Sequence, residues 1–99
     1  MGRRQPRPVP HLLAPKLLRI RERLGVGQAE MARLLGDTPI PPDGGTVSRF
    51  ERSEREPNLY VILKYANLAK INPVLLIDDG YSVRFMDRQI PKDVKKPKN

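Results

Sequence analysis

Apolar positions recur along this chain at helical spacing, in short bursts separated by glycine and proline. Leu17, Ile20 and Leu24 fall at i, i+3 and i+7, with Leu13 four residues earlier on the same stripe and Arg19, Glu22 and Arg23 elsewhere. This predicts an amphipathic helix over residues 15–24, ended by Gly25. Val26 is placed to plug the core. A second helix follows over residues 27–35, with Gly27 at the N-cap, Glu30 near its positive end and Met31, Ala32 and Leu35 on the buried face; Gly36 closes it. Residues 37–45 (DTPIPPDGG) hold three prolines and two adjacent glycines, which break both helix and strand.

Residues 46–52 then form a third short helix that buries Val47 and Phe50, with Asp43 positioned to cap it and Gly44 and Gly45 in its first turn. Leu59, Ile62, Leu63 and Ala66 predict a fourth helix over residues 58–69. Asn72-Pro73 starts a fifth, in which Val74, Leu75, Leu76 and Ile77 close the core and Asp78, Asp79 and Gly80 stop it. Tyr81, Val83 and Phe85 alternate with Ser82, Arg84 and Met86, which has the period of a short strand. A lone strand must pack on the domain, pair with a second copy or stay disordered. Residues 92–99 are rich in lysine and read as a mobile tail without core residues. Prolines 6, 8, 10 and 15 among Arg3, Arg4 and Arg7 make residues 1–15 an extended basic arm, read either as a solvated tail or as an arm that follows a phosphate backbone.

Composition narrows the partners. Ninety-nine residues enclose one modest core, which excludes a two-domain enzyme. A net charge of +8 and a pI near 10.3 favour a polyanionic partner: DNA, RNA or an acidic membrane face, with nucleic acid leading. The chain has no cysteine, so disulfide, thiolate-metal and cysteine-nucleophile chemistry drop out. No apolar run reaches the roughly 20 residues of a membrane span, and the basic start lacks a secretory-type apolar core. The expectation is a cytoplasmic protein with no membrane partner. An enzyme is not expected. His11, the one histidine, sits in the proline-rich arm, no metal-ligand cluster or cofactor motif is present, Gly44-Gly45 lacks the Lys-Ser/Thr of a phosphate loop, and Asp78-Asp79 reads as a helix stop.

Several separated features agree on a family. Gln28 opening helix two, the Val47-Ser48-Arg49-Phe50-Glu51 phrase, the Arg55-Glu56-Pro57 turn and the Asn72-Pro73 helix start resemble the DNA-binding domain of the Cro and phage-repressor (XRE) family over about residues 16–78. The resemblance implies an all-α, compact five-helix lambda-repressor-like domain over residues 16–79, with helices two and three as a helix-turn-helix. The arm (1–15) and a partly disordered C-terminal extension (80–99) flank it.

It also implies roles. Gln28 would bond a DNA phosphate; Thr46, Ser48 and Arg49 would face bases, with Gly44 and Gly45 at the two leading positions; Arg52, Ser53 and Arg55 would touch the backbone after the recognition helix. A guanidinium can bond guanine O6 and N7 together, so Arg49 is the strongest base-reading candidate. Arg21 and Glu51 would form a partly buried structural ion pair. Three departures stand out: the connection from Gly36 to Thr46 exceeds the usual turn of about 3–4 residues, glycines replace side chains at the leading readout positions, and Ser53 and Lys70 stand where glycine is usual at helix ends.

The function expected is a sequence-specific transcriptional regulator of bacterial or phage type, a repressor, binding double-stranded DNA as a homodimer. Its dimer surface would be helix five or residues 81–86. The alternative is an antitoxin or adaptor that binds DNA through the helices and a protein partner through residues 81–99. A third reading, general coating of nucleic acid by basic tails, predicts equal affinity for all sequences.

Overall fold

A computed structural model describes residues 10–97. Six helices follow one another: α1 (Leu13–Leu24), α2 (Gln28–Leu34), α3 (Gly44–Glu51), α4 (Leu59–Ala69), α5 (Val74–Ile77) and α6 (Val83–Gln89). No strand occurs among the described residues. The helix α1 is central, packing against α3, α4, α5 and α6, while α2 packs on α3. Their shared core is built on Leu17, Ile20, Met31, Leu35, Val47 and Tyr65, all fully buried.

The first helix starts earlier than the stripe alone implied. Leu13 and Ala14 are helical and buried, so they belong to the core and not to the arm. Pro15 is tolerated because it lies in the first turn, where backbone N–H groups have no intrahelical acceptor to lose. The rest of the expected arm, residues 1–9, lies outside the described residues. The helix supplies no cap of its own; the Asp79 carboxylate takes the backbone N–H groups of His11 (2.8 Å) and Leu12 (3.0 Å). Asp79 therefore closes the start of α1 as well as following the end of α5. Beside it, the buried Lys16 donates its Nζ to the Asp78 carbonyl at 3.1 Å.

In α4 the buried face is Val61, Ile62, Tyr65, Ala66 and Ala69. The expected stripe was rotated: Leu59 and Leu63 point outward, at 79% and 47% exposure. The Asn58 side chain caps the helix by accepting from Val61 N at 2.9 Å, fixing where the first turn begins. In α5 only Leu75 and Leu76 are buried, with Val74 and Ile77 exposed.

The expected strand at 81–86 is wrong, and the domain has a sixth helix there. Ser82 Oγ accepts from Phe85 N at 3.0 Å as an N-cap, Tyr81 stacks on Phe85 with ring centroids 5.3 Å apart, and Met86 and Ile90, four residues apart, are both buried. The i,i+4 relations outweighed a six-residue alternation. Residues 92–97 are not free of core contacts either, since Val94 is buried. Two arginines of α1 hold this extension. Arg23 donates to the Asp87 carboxylate at 2.7 Å and to the carbonyls of Asp87 and Pro91, while Arg19 Nε donates to Asp87 at 2.8 Å.

Hydrogen bonds from Arg19 and then Arg23 hold the Asp87 carboxyl below the usual carboxylate range, against partial desolvation. A depressed native pKa contributes stability above the unfolded value of about 4, lost as pH falls through the native one. Stability to urea is thus expected to drop on acidification below about pH 4, and Asp87→Asn is expected to lower neutral-pH stability and flatten that part of the pH profile. Ser53 (φ 59°) and Lys70 (φ 60°) both adopt left-handed backbone. Lys70→Gly is accordingly expected to stabilise the fold by about 1 kcal/mol, read as a raised melting temperature.

Candidate nucleic-acid interface

The start of α3 is built by Asp43. Its backbone is extended and its Oδ1 accepts from Thr46 N (2.8 Å) and from Thr46 Oγ1 (2.9 Å), satisfying one of the orphan donors at the helix start. These two hydrogen bonds hold the Asp43 carboxyl below its ordinary pKa, with Arg49 adding a smaller attraction. Gly44 faces α2: a Cβ there would sit 3.4 Å from Ala29 Cα, an ordinary contact, so the start of α3 lies directly against α2. At Gly45 an added Cβ would meet only Asp43 Oδ1, at 3.5 Å.

Val47 and Phe50 turn inward. Residues three and four apart share a helix face, so Gly45, Ser48, Arg49 and Arg52 lie on the opposite side. Ser48 and Thr46 are half-buried, whereas Arg49, Arg52, Ser53 and Arg55 are exposed. Arg52 pairs with Glu54 at 3.2 Å, a surface contact worth little and readily exchanged for another anion. Arg49 makes no ion pair or hydrogen bond among the described residues. Arg55 follows the left-handed Ser53, which turns the chain out of α3.

Behind this face lies a charged hub. The Glu51 carboxylate receives Arg21 Nε at 2.6 Å and Arg21 Nη2 at 3.1 Å, while Arg21 Nη1 reaches the Val26 carbonyl at 3.0 Å. Gln28 Nε2 donates to Glu51 Oε1 at 3.0 Å. One carboxylate thus ties α1, α2 and α3 together, with its side chain only 6% exposed. The Glu51 hydrogen bond is the main reason the Arg21 pKa is raised. Gln28 was assigned to an outside anion alone; here its amide is also a structural donor. A carboxamide nitrogen carries two hydrogens, so one remains for an outside acceptor. The Tyr65 hydroxyl is buried without a hydrogen-bond partner among the described residues, and burial followed by the Glu51 charge pushes its pKa up.

Sequence patterning brought out Asp43, and the family resemblance implied the Arg21–Glu51 pair. Both missed the Gln28–Glu51 hydrogen bond and a cleft of about 280 Å³ between residues 40–42 of the connection and the turn after α3, into which Thr46 and Arg55 face. No run of residue types marks either, because both depend on how the long connection folds back. No group of acidic and histidine side chains able to hold a metal occurs among the described residues, and no helix is long and apolar enough to cross a membrane.

No known protein family, curated protein or solved structure matches the chain.

Removing one side of a buried ion pair leaves the other uncompensated, so Glu51→Ala is expected to destabilise the fold by about 3–5 kcal/mol in urea titration. Tyr65→Phe, which removes an unsatisfied hydroxyl, is expected to be neutral or stabilising by up to about 1 kcal/mol.

Proposed function

We propose that this chain is a sequence-specific, double-stranded-DNA-binding transcriptional regulator, a repressor of the Cro and phage-repressor type, in which α2 and α3 act as a helix-turn-helix and α3 enters the major groove. It works by binding and not by catalysis, in the cytoplasm at the nucleoid. The observation that carries the reading is the outer face of α3: an exposed, unpaired Arg49 flanked by Ser48, with Arg52 and Arg55 just beyond, on a helix pinned from behind by Glu51. In that reading Arg49 bonds guanine O6 and N7, Thr46 and Ser48 bond a base edge or phosphate, and Gly45, with no side chain on the outer face, lets the helix start approach the duplex. The free amide hydrogen of Gln28 together with Arg52, Ser53 and Arg55 engages backbone phosphate.

A rigid hub suits readout, because a side chain that discriminates between bases must be held in place before contact. Two copies would bind half-sites about one helical turn apart. The surfaces available for their pairing are the outward Val74 and Ile77 of α5 and the Tyr81–Phe85 stack, with Phe85 42% exposed. The antitoxin or adaptor alternative needs residues 81–99 for a partner. In this fold Met86, Ile90 and Val94 are already buried and Asp87 is held by two arginines, so less of the segment is on offer.

Selection of binding sites from random duplex DNA tests the proposal. Wild type is expected to enrich a two-fold symmetric motif that Arg49→Ala relaxes at one base pair per half-site, with log K falling against log salt by about 0.9 per phosphate contact. Strong low-salt binding by both proteins with no motif enriched would refute it.

A further inference from the structure

The connection between α2 and α3 presents one large apolar side chain to solvent. Ile40 is 69% exposed, and it stands between Pro39 and Pro41 in a segment followed directly by Pro42. A residue preceding proline is pushed toward extended backbone, and prolines flanking it remove much of the freedom the loop would otherwise lose on binding. Ile40 is therefore a stiffly carried side chain and not a floppy one. Its position is informative: it lines the same cleft of about 280 Å³ as Thr46 and Arg55, two side chains assigned above to DNA. At the neighbouring start of α3, Gly44 is turned to Ala29 of α2 and Gly45 leaves the outer face of the first turn without a side chain.

We propose that Ile40 is an additional specificity-determining residue that contacts the C5-methyl group of a thymine, taking the place of the side chain missing at Gly45. This rests on the reading of α3 as a DNA-binding helix. The chemistry is apolar: thymine alone among the bases displays a methyl group in the major groove, and an aliphatic side chain is its natural contact. Arg55, which lines the same cleft, supplies phosphate attraction that brings the exposed isoleucine against the duplex.

The test uses the duplex that wild type selects, with each thymine replaced in turn by deoxyuridine, which removes only the methyl group. Affinities for the full chain, Ile40→Ala, Ile40→Val and Arg49→Ala are measured by fluorescence anisotropy at fixed salt. At one thymine per half-site, deoxyuridine is expected to weaken wild type about three- to fivefold, the scale of one buried methyl. Ile40→Ala is expected to bind the unmodified duplex more weakly by a similar factor and to ignore the substitution at that thymine, while Ile40→Val keeps part of the sensitivity. Because the side chain is mostly exposed, these variants should melt within a degree or two of wild type, which the same samples report.

If wild type and Ile40→Ala lose equally at every deoxyuridine, or wild type loses nothing, the inference is wrong while Arg49-dependent selection leaves the DNA reading standing. If no motif is selected at all, both fall together.

Discussion

The Glu51 carboxylate is the constraint on which the rest depends. It sits at the end of α3, receives a two-pronged guanidinium from α1 and an amide from α2, and is nearly closed off from solvent. An ion pair in such a place adds little net stability, because desolvating two charges offsets their attraction. What it adds is geometry. A planar guanidinium bonding both oxygens fixes the carboxylate in orientation as well as distance, and the Gln28 amide then fixes α2 against the same group. The three helices that shape the candidate interface are thereby oriented by one polar contact, laid over an apolar core that packs well in any case.

The outer elements are held in the same manner, by single acidic residues acting at long range. Asp79 closes the start of α1 from the far side of α5, and Asp87 fastens α6 to two arginines of α1. This gives the small domain a larger core than its five-helix expectation implied, since Met86, Ile90 and Val94 join it. Four carboxylates, Asp43, Glu51, Asp79 and Asp87, each cap or tie an element of this basic chain, and much of the positive charge is left on the surface. Arg49, Arg52 and Arg55 belong to that remainder.

Local order was legible and distant partnership mostly was not. Gly25, the prolines of residues 39–42, Asp43 and Asn72 act within a few residues of where they stand, so the approximate extents of α1 to α5 could be read from spacing and caps, apart from the earlier starts of α1 and α3. The phase of α4 was misjudged because Leu59 and Leu63 are as apolar as the residues that were buried; only the neighbours of the helix decide which face they cover. At 81–86 two periods competed over too short a window, and the capping role of Ser82 went unweighed. The Asp79 and Asp87 contacts join residues 64 to 68 positions apart, a separation about which the local pattern is silent. In the candidate site, the residues of α3 were placed correctly relative to the core, whereas the dual role of Gln28 and the cleft beside Ile40 depended on the long connection.

The most direct measurement is the set of backbone amide shift changes when the full chain is titrated with duplex DNA. The expected changes concentrate at Gln28, residues 40–49 and residues 52–55, with the outward face of α4 unmoved. Changes confined to the lysine-rich residues 92–97 and the start of the chain, with α3 silent, would contradict the assignment of α3 as the DNA-binding helix.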